Sequence, residues 1–127
     1  MIYFVSGHRD ITREEFETYY IPKLEEAICT DSAEFVVGDY EGVDKMAMDY
    51  LASHSCCLTI YHMFDSPRNI PTYTPLSVYI TYRGGFKTDE ERDSAMTLVS
   101  DIDIAFIRKN KWDSGTAQNI KRRHTIC

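Results

Sequence analysis

Four short segments hold residue types whose order suits binding or catalysis. Ser6-Gly7-His8-Arg9 follows an apolar run. Gly7 would let backbone approach a ligand closely, and His8 and Arg9 would offer donors to a phosphate or sugar. A plain strand-to-helix turn with solvated polar residues explains the same segment. Gly38-Asp39-Tyr40-Glu41-Gly42-Val43-Asp44 sets two glycines around a loop that leads into a helix. Free N–H groups at such a helix start bind anions, and Asp44 either favours the helix dipole or holds a ribose hydroxyl. In Glu90-Glu91-Arg92-Asp93, Arg92 falls in a first helical turn, where the dipole disfavours a cation. That placement points to an anionic partner, a phosphate or a carboxylate. Glu91 reads first as a helix-capping residue, and Asp93 either orients a substrate hydroxyl or is solvated. In Trp112-Asp113-Ser114-Gly115-Thr116, Asp113 or Ser114 caps a helix. Ser114, Thr116 and the free N–H groups would form a phosphate cradle, and Trp112 would stack on a base or pack internally.

Other signals carry less. His54, Cys56, Cys57 and His62 resemble a zinc set, but adjacent strand residues point to opposite faces, so Cys56 and Cys57 do not readily share a metal. No metal and no cofactor is expected. The run Lys121-Arg122-Arg123-His124 lies at a helix C-terminus, where cations offset the dipole. Neither G-x-G-x-x-G nor a phosphate loop ending in Gly-Lys-Ser/Thr is present. The chain has 127 residues and a formal net charge of −6. Its length fits one domain over 1–127, and its acidic balance argues against nucleic-acid binding. No apolar stretch approaches the roughly 20 residues of a membrane span, and the opening lacks a signal-peptide leader. A cytoplasmic protein with reduced Cys29, Cys56, Cys57 and Cys127 is expected.

The elements that would position these residues alternate between strand and helix. Ile2 to Ser6, Phe35 to Gly38 and Cys56 to Tyr61 read as buried strands. Thr12-Arg13-Glu14-Glu15 has the form of a capping box ahead of a helix with Phe16, Tyr20, Leu24, Ala27 and Ile28 at helical spacing. Pro22 should kink or split that helix. Val43, Met46, Ala47, Tyr50 and Leu51 form a second helix opening near Gly42. Residues 62–75 hold three prolines and read as a long loop. Val78 to Tyr82 is a short strand or an extended approach to Gly84-Gly85. Thr88 to Glu91 repeats the capping box ahead of a helix with Ala95, Met96 and Val99. Ile102 to Ile107 is the last strand, and Gly115-Thr116 opens a helix ending at Lys121-Arg122-Arg123. The order implies an α/β fold, a Rossmann-like three-layer sandwich around a mainly parallel sheet. A ligand would then sit outside the carboxyl ends of the strands, among loops 7–10, 38–44, 84–93 and 109–116.

Taken together, these loops resemble the SLOG superfamily, the Rossmann-like group named for DprA and Lonely-Guy-type proteins. The likeness covers most of the chain. Gly38, Gly42, Val43 and Asp44 resemble that group's "GGxxGxD" loop, with Asp39 where a second Gly is usual. Arg92, Met96 and Asp101, followed by Gly115-Thr116, are similar to the Arg…Met…Asp spacing and "PGGxGTxxE" turn of Lonely-Guy-type phosphoribohydrolases. In those proteins the Arg and the final Glu serve in cleaving a nucleotide N-glycosidic bond, and the turn holds the phosphate. Here Lys111-Trp112-Asp113-Ser114 stand in place of Pro-Gly-Gly, and Gln118 and Asn119 in place of the acidic pair. An amide cannot supply the lost charge. Nucleoside 2-deoxyribosyltransferases are similar too.

The resemblance implies a nucleotide or nucleotide-derived ligand, held by Gly7, His8, Arg9, Gly38, Gly42, Asp44, Ser114, Gly115, Thr116 and Gln118, in a sensor or a divergent enzyme. The alternative it implies is a nucleoside-monophosphate N-glycoside hydrolase or deoxyribosyltransferase, with Arg92 on phosphate and Asp93 or Glu91 as acid, base or nucleophile. Single-stranded DNA binding is the weaker alternative. Relatives of this kind are often dimers, so a homo-oligomer is expected.

Overall fold

The computed structural model describes residues 1–54, 56–72, 79–108 and 115–126, with the side chains of 125 and 126 left aside. Its elements are β1 (Ile2–Val5), α1 (Arg13–Tyr19), α2 (Ile21–Ile28), β2 (Glu34–Gly38), α3 (Val43–Ser53), β3 (Cys57–Met63), β4 (Ile80–Phe86), α4 (Asp89–Val99), β5 (Ile102–Ile104) and α5 (Gly115–Ile126). The strands form one all-parallel sheet in the order β4-β3-β2-β1-β5. This is the α/β, Rossmann-like three-layer arrangement that the alternation of elements implies. No helix among the described residues is long and apolar enough to cross a membrane.

Period-two alternation along the strands sends side chains to two different layers. Tyr3 and Val5 of β1, Phe35 and Val37 of β2, and Leu58 and Ile60 of β3 join a large apolar cluster with α1, α2 and α3. Phe4, Val36 and Tyr61 point the other way, onto Met96 and Ala95 of α4. The first helical stretch is split, as Pro22 requires: α1 ends at Tyr19 and α2 restarts with the proline in its first turn. Both halves of the Thr12 capping box form, with Glu15 N–H donating to Thr12 Oγ1 and Thr12 N–H to Glu15 Oε1, each at 3.0 Å.

Several sequence expectations need correction. Only half of the second capping box forms. Glu91 N–H donates to Thr88 Oγ1, but the Glu91 carboxylate accepts from Lys87 N–H instead of from Thr88. The strand expected over 102–107 ends at Ile104. Beyond it the backbone leaves the ladder, because Phe106 N–H donates to the Tyr20 hydroxyl (3.0 Å) and Arg108 N–H to His8 Nε2 (3.1 Å). β3 runs on to Met63 because β4 pairs with it as far as Met63–Phe86. Gly84 and Gly85 therefore belong to β4 and are not a ligand loop. A Cβ on Gly84 would stand 2.1 Å from the His62 ring, which is why the strand has no side chain there. α5 continues past Arg123. Arg123 does more than offset the dipole: it bonds Asp103, Ser100 and the Thr97 carbonyl, fastening α5 to α4 and β5.

The chain places β2, β3 and β4 on one side of β1 and then returns to put β5 on the other. At that reversal the segment after β1 leads into α1 on one face, and the segment after β5 leads into α5 on the other. Such a switch point opens a crevice at the carboxyl ends of the strands.

Candidate functional site

A cleft of about 400 Å³ lies at the carboxyl ends of β1 and β2, beneath α4 and the first turn of α5. Its size is that of an ordinary small-molecule site. Of the residues singled out by sequence, Gly7, His8, Arg9, Gly38, Asp44, Arg92, Asp93, Gly115 and Thr116 line it. Three do not. Glu91 is exposed beside Lys87 as a capping residue. Gln118 is exposed, and it is Asn119, one position on, that faces the cleft. Gly42 stands behind the wall, where its positive φ of 77° opens α3 and a Cβ would fall 2.4 Å from the Arg9 carbonyl oxygen. Ser114, Trp112 and Asp113 lie outside the described residues.

Gly7 has a packing reason to be glycine. A Cβ there would meet the Tyr20 hydroxyl at 2.3 Å and Val43 Cγ2 at 2.4 Å. Tyr20 is fully buried, donates to the Ser6 carbonyl at 2.7 Å and accepts from Phe106 N–H. Burial pushes its hydroxyl above the ordinary tyrosine range. It thus joins the ends of β1 and β5 on the side opposite the cleft. His8 is equally engaged, since its Nε2 accepts the Arg108 N–H, so that nitrogen is a proton acceptor here. Arg108 also grips Glu15 through two nitrogens (3.0 and 2.6 Å) and Asp10 through a third (2.8 Å). The Arg108 guanidinium and the Thr12 N–H hold the Glu15 carboxyl down at about 2.

Behind the cleft wall the charges gather on Asp39, fully buried just past β2. Arg92 Nη1 donates to its Oδ1 at 2.8 Å and Arg68 Nη2 to the same oxygen at 2.9 Å, while Arg68 N–H reaches Oδ2 at 2.7 Å. Burial alone would raise the Asp39 carboxyl, but the hydrogen bonds and charge of Arg68, with Arg92 behind them, hold it below the usual carboxylate range. Asp39 is thus a buried anion that gathers two guanidiniums. The cation-disfavoured position of Arg92 is explained from within the molecule. Besides Asp39, it engages Asp89 at 3.2 Å and Asp93 at 2.9 Å. Gly38 leaves room for this, since a Cβ there would come within 2.6 Å of Asp44 Oδ2 and 2.8 Å of Arg92 Cζ.

Two carboxylates in the cleft are held towards the protonated form. Asp44, in the first turn of α3, accepts Tyr40 N–H at 3.1 Å. Burial, with the negative charges of Asp93 and Asp39, pushes it up to about 7, against the pull of Arg92. Asp93 is likewise raised by burial, with Arg92 and Asn119 opposing. Asp44 can therefore exchange a proton near neutral pH, as a general acid or base must, and Asp93 is shifted in the same direction.

Ser6, Tyr40, Asp89 and Asn119 line the cleft without having been named as site residues, and Asp39 and Arg68 brace Arg92 and Tyr40 behind it. Arg68 lies within the long loop after β3 and reaches a carboxylate 29 positions earlier, a contact without any local signal. It also lies over the Tyr40 ring, 4.6 Å from the centroid. Asn119 had a signal: it stands three residues after Thr116, on the same helical face. Among the described residues, no group of three or more His, Cys, Asp or Glu could hold a metal ion. Cys56 is buried and Cys57 exposed, as opposite strand faces require. Comparison with protein-family models, with curated proteins and with solved structures gives no match.

Proposed function

We propose that the cleft binds a nucleotide or nucleotide-derived ligand. The observation that carries this reading is the cleft's position at the carboxyl ends of β1 and β2, beside the switch point of the sheet, between the first turn of α5 and a set of carboxylates. The N–H groups of a first helical turn suit a phosphate, and Arg9, exposed at the rim with its Nη1 on the Tyr40 hydroxyl, adds positive charge. Carboxylates suit sugar hydroxyls. The resemblance of the Gly38–Asp44 and Gly115–Thr116 turns to the SLOG group supports the same assignment. Arg92 acts in this reading as a wall residue that orients Asp93, since its own donors are taken up by Asp39, Asp89 and Asp93. A panel of nucleoside monophosphates and ADP-ribose should raise the melting temperature of the protein. No shift with any of them would refute the reading.

One observation favours an enzyme. Asp44 and Asp93 face one cleft with raised affinities for a proton, as a general acid requires, and the half-exposed Asp89 carboxylate lines the same cleft. The reaction would be cleavage or transfer at a nucleotide N-glycosidic bond. Chromatography for released free base tests it, with Asp93→Asn expected to abolish release. Full activity in that variant removes Asp93 from the chemistry.

A further inference from the structure

Two buried side-chain oxygens among the described residues have no hydrogen-bond partner, Ser6 Oγ and Thr97 Oγ1. Only Ser6 lines the cleft. It is 6% exposed. Its N–H donates to the Ile104 carbonyl at 3.1 Å, so the β1 ladder continues through it. Alternation along that ladder puts Tyr3 and Val5 on the α1–α3 side, and Phe4 on the α4 side. Ser6 falls on the same side as Phe4, facing the layer that holds the cleft. A buried hydroxyl without a partner costs folding free energy, so its presence in the lining of a cleft points to a ligand group that completes it.

The chemistry of that group follows from the neighbouring charges. Asp44, Asp89 and Asp93 line the cleft, and the nearby guanidinium of Arg92 is already committed to carboxylates. Beside Asp89 and the committed Arg92 guanidinium a phosphate would meet negative charge and no open donor. A neutral hydroxyl fits there, since it can accept from Ser6 and donate to a carboxylate at once. Resting on the nucleotide reading above, we infer that Ser6 Oγ and Asp93 form a sugar-hydroxyl subsite for the vicinal diol of a ribose, with the phosphate at the first turn of α5, so that the cleft selects ribonucleotides over deoxyribonucleotides.

Calorimetric titration with AMP and CMP, each beside its 2′-deoxy and 3′-deoxy counterpart, tests this on the wild-type protein and on Ser6→Ala. The ribo forms should bind about tenfold more tightly than at least one deoxy form, the scale of one hydrogen bond that leaves a buried partner when lost. Ser6→Ala should bring ribo affinity to the deoxy level and leave deoxy affinity as it was. The free variant should melt at the same temperature or higher, because the partnerless hydroxyl is gone. A structural serine would instead lower the melting temperature and leave the ribo-to-deoxy ratio untouched. Equal binding of ribo and deoxy forms, or an equal loss of both in Ser6→Ala, overturns the subsite while the nucleotide reading stands. Absence of binding by every nucleotide removes both.

Discussion

Among the described residues, seventeen buried ones form one apolar cluster on the face of the sheet covered by α1, α2 and α3, and four form the corresponding cluster on the face covered by α4 and α5. The space that the second face does not fill with hydrocarbon holds Asp39, Asp44, Asp89 and Asp93 around Arg68 and Arg92, and the cleft opens beside them. The same strands serve both layers, since neighbouring residues such as Val36 and Val37 face opposite ways. One face can therefore be packed for stability while the other keeps charges that an apolar core would exclude. Arg92 and Asp39 are tolerated there because each buried charge meets opposite charges and hydrogen bonds.

The largest effect should come from breaking the packed face. Phe35, 1% exposed and stacked on Tyr3 with ring centroids 5.4 Å apart, leaves a large cavity as Phe35→Ala. That variant should lose about 3–5 kcal/mol in urea unfolding, while keeping its ligand preference wherever it remains folded. Asp39→Ala should cost about 3 kcal/mol, the scale of a buried pair that loses one partner. Unlike Phe35→Ala, it should also weaken ligand binding, because Arg68 and Arg92 lose the anion that joins them. If the two variants affect binding alike, the division of labour between the faces is wrong.

The smallest effect is a slope with pH. Asp44 is pushed up to about 7 by burial, whereas a carboxylate in the unfolded chain titrates near 3.9. Between those values the folded protein holds a proton that the unfolded chain has released. Stability should therefore be greatest near the lower value and decline as pH rises towards 7. Asp93, also raised, adds in the same sense. Melting temperatures at pH 5 and pH 7.5 should differ less in Asp44→Asn than in the wild type. An unchanged difference would show that Asp44 is already ionised in the folded state.

Much of the packed face was legible in the sequence. Phe16, Tyr20, Leu24 and Ala27 stand at helical spacing, and all four are buried. The Thr12–Glu15 box and the Pro22 break depend only on residues within one turn, and both form. The charged face was legible in part. Arg92 conflicts with the helix dipole, a local signal, but the answer to that conflict is Asp39, 53 positions away. Glu91 and Gln118 were placed in the site by motif register, and helix rotation puts both outside, with Asn119 turned inward. Gly84-Gly85 suggests a loop because glycines usually break strands, but the His62 ring explains Gly84 inside one and a φ of 90° explains Gly85.

By itself, the sequence determined what acts over short range: the helices and where they start, the three central strands, which of their faces are apolar, and that the fold is α/β. These follow from periodicity and capping, which involve residues a few positions apart. Tertiary structure alone decided the strand order, the long-range pairing of Arg68 with Asp39, the unpartnered state of Ser6 Oγ and the proton affinity of Asp44. Each of these depends on which distant groups share a low-dielectric space, and burial and charge act through distance in space, not along the chain.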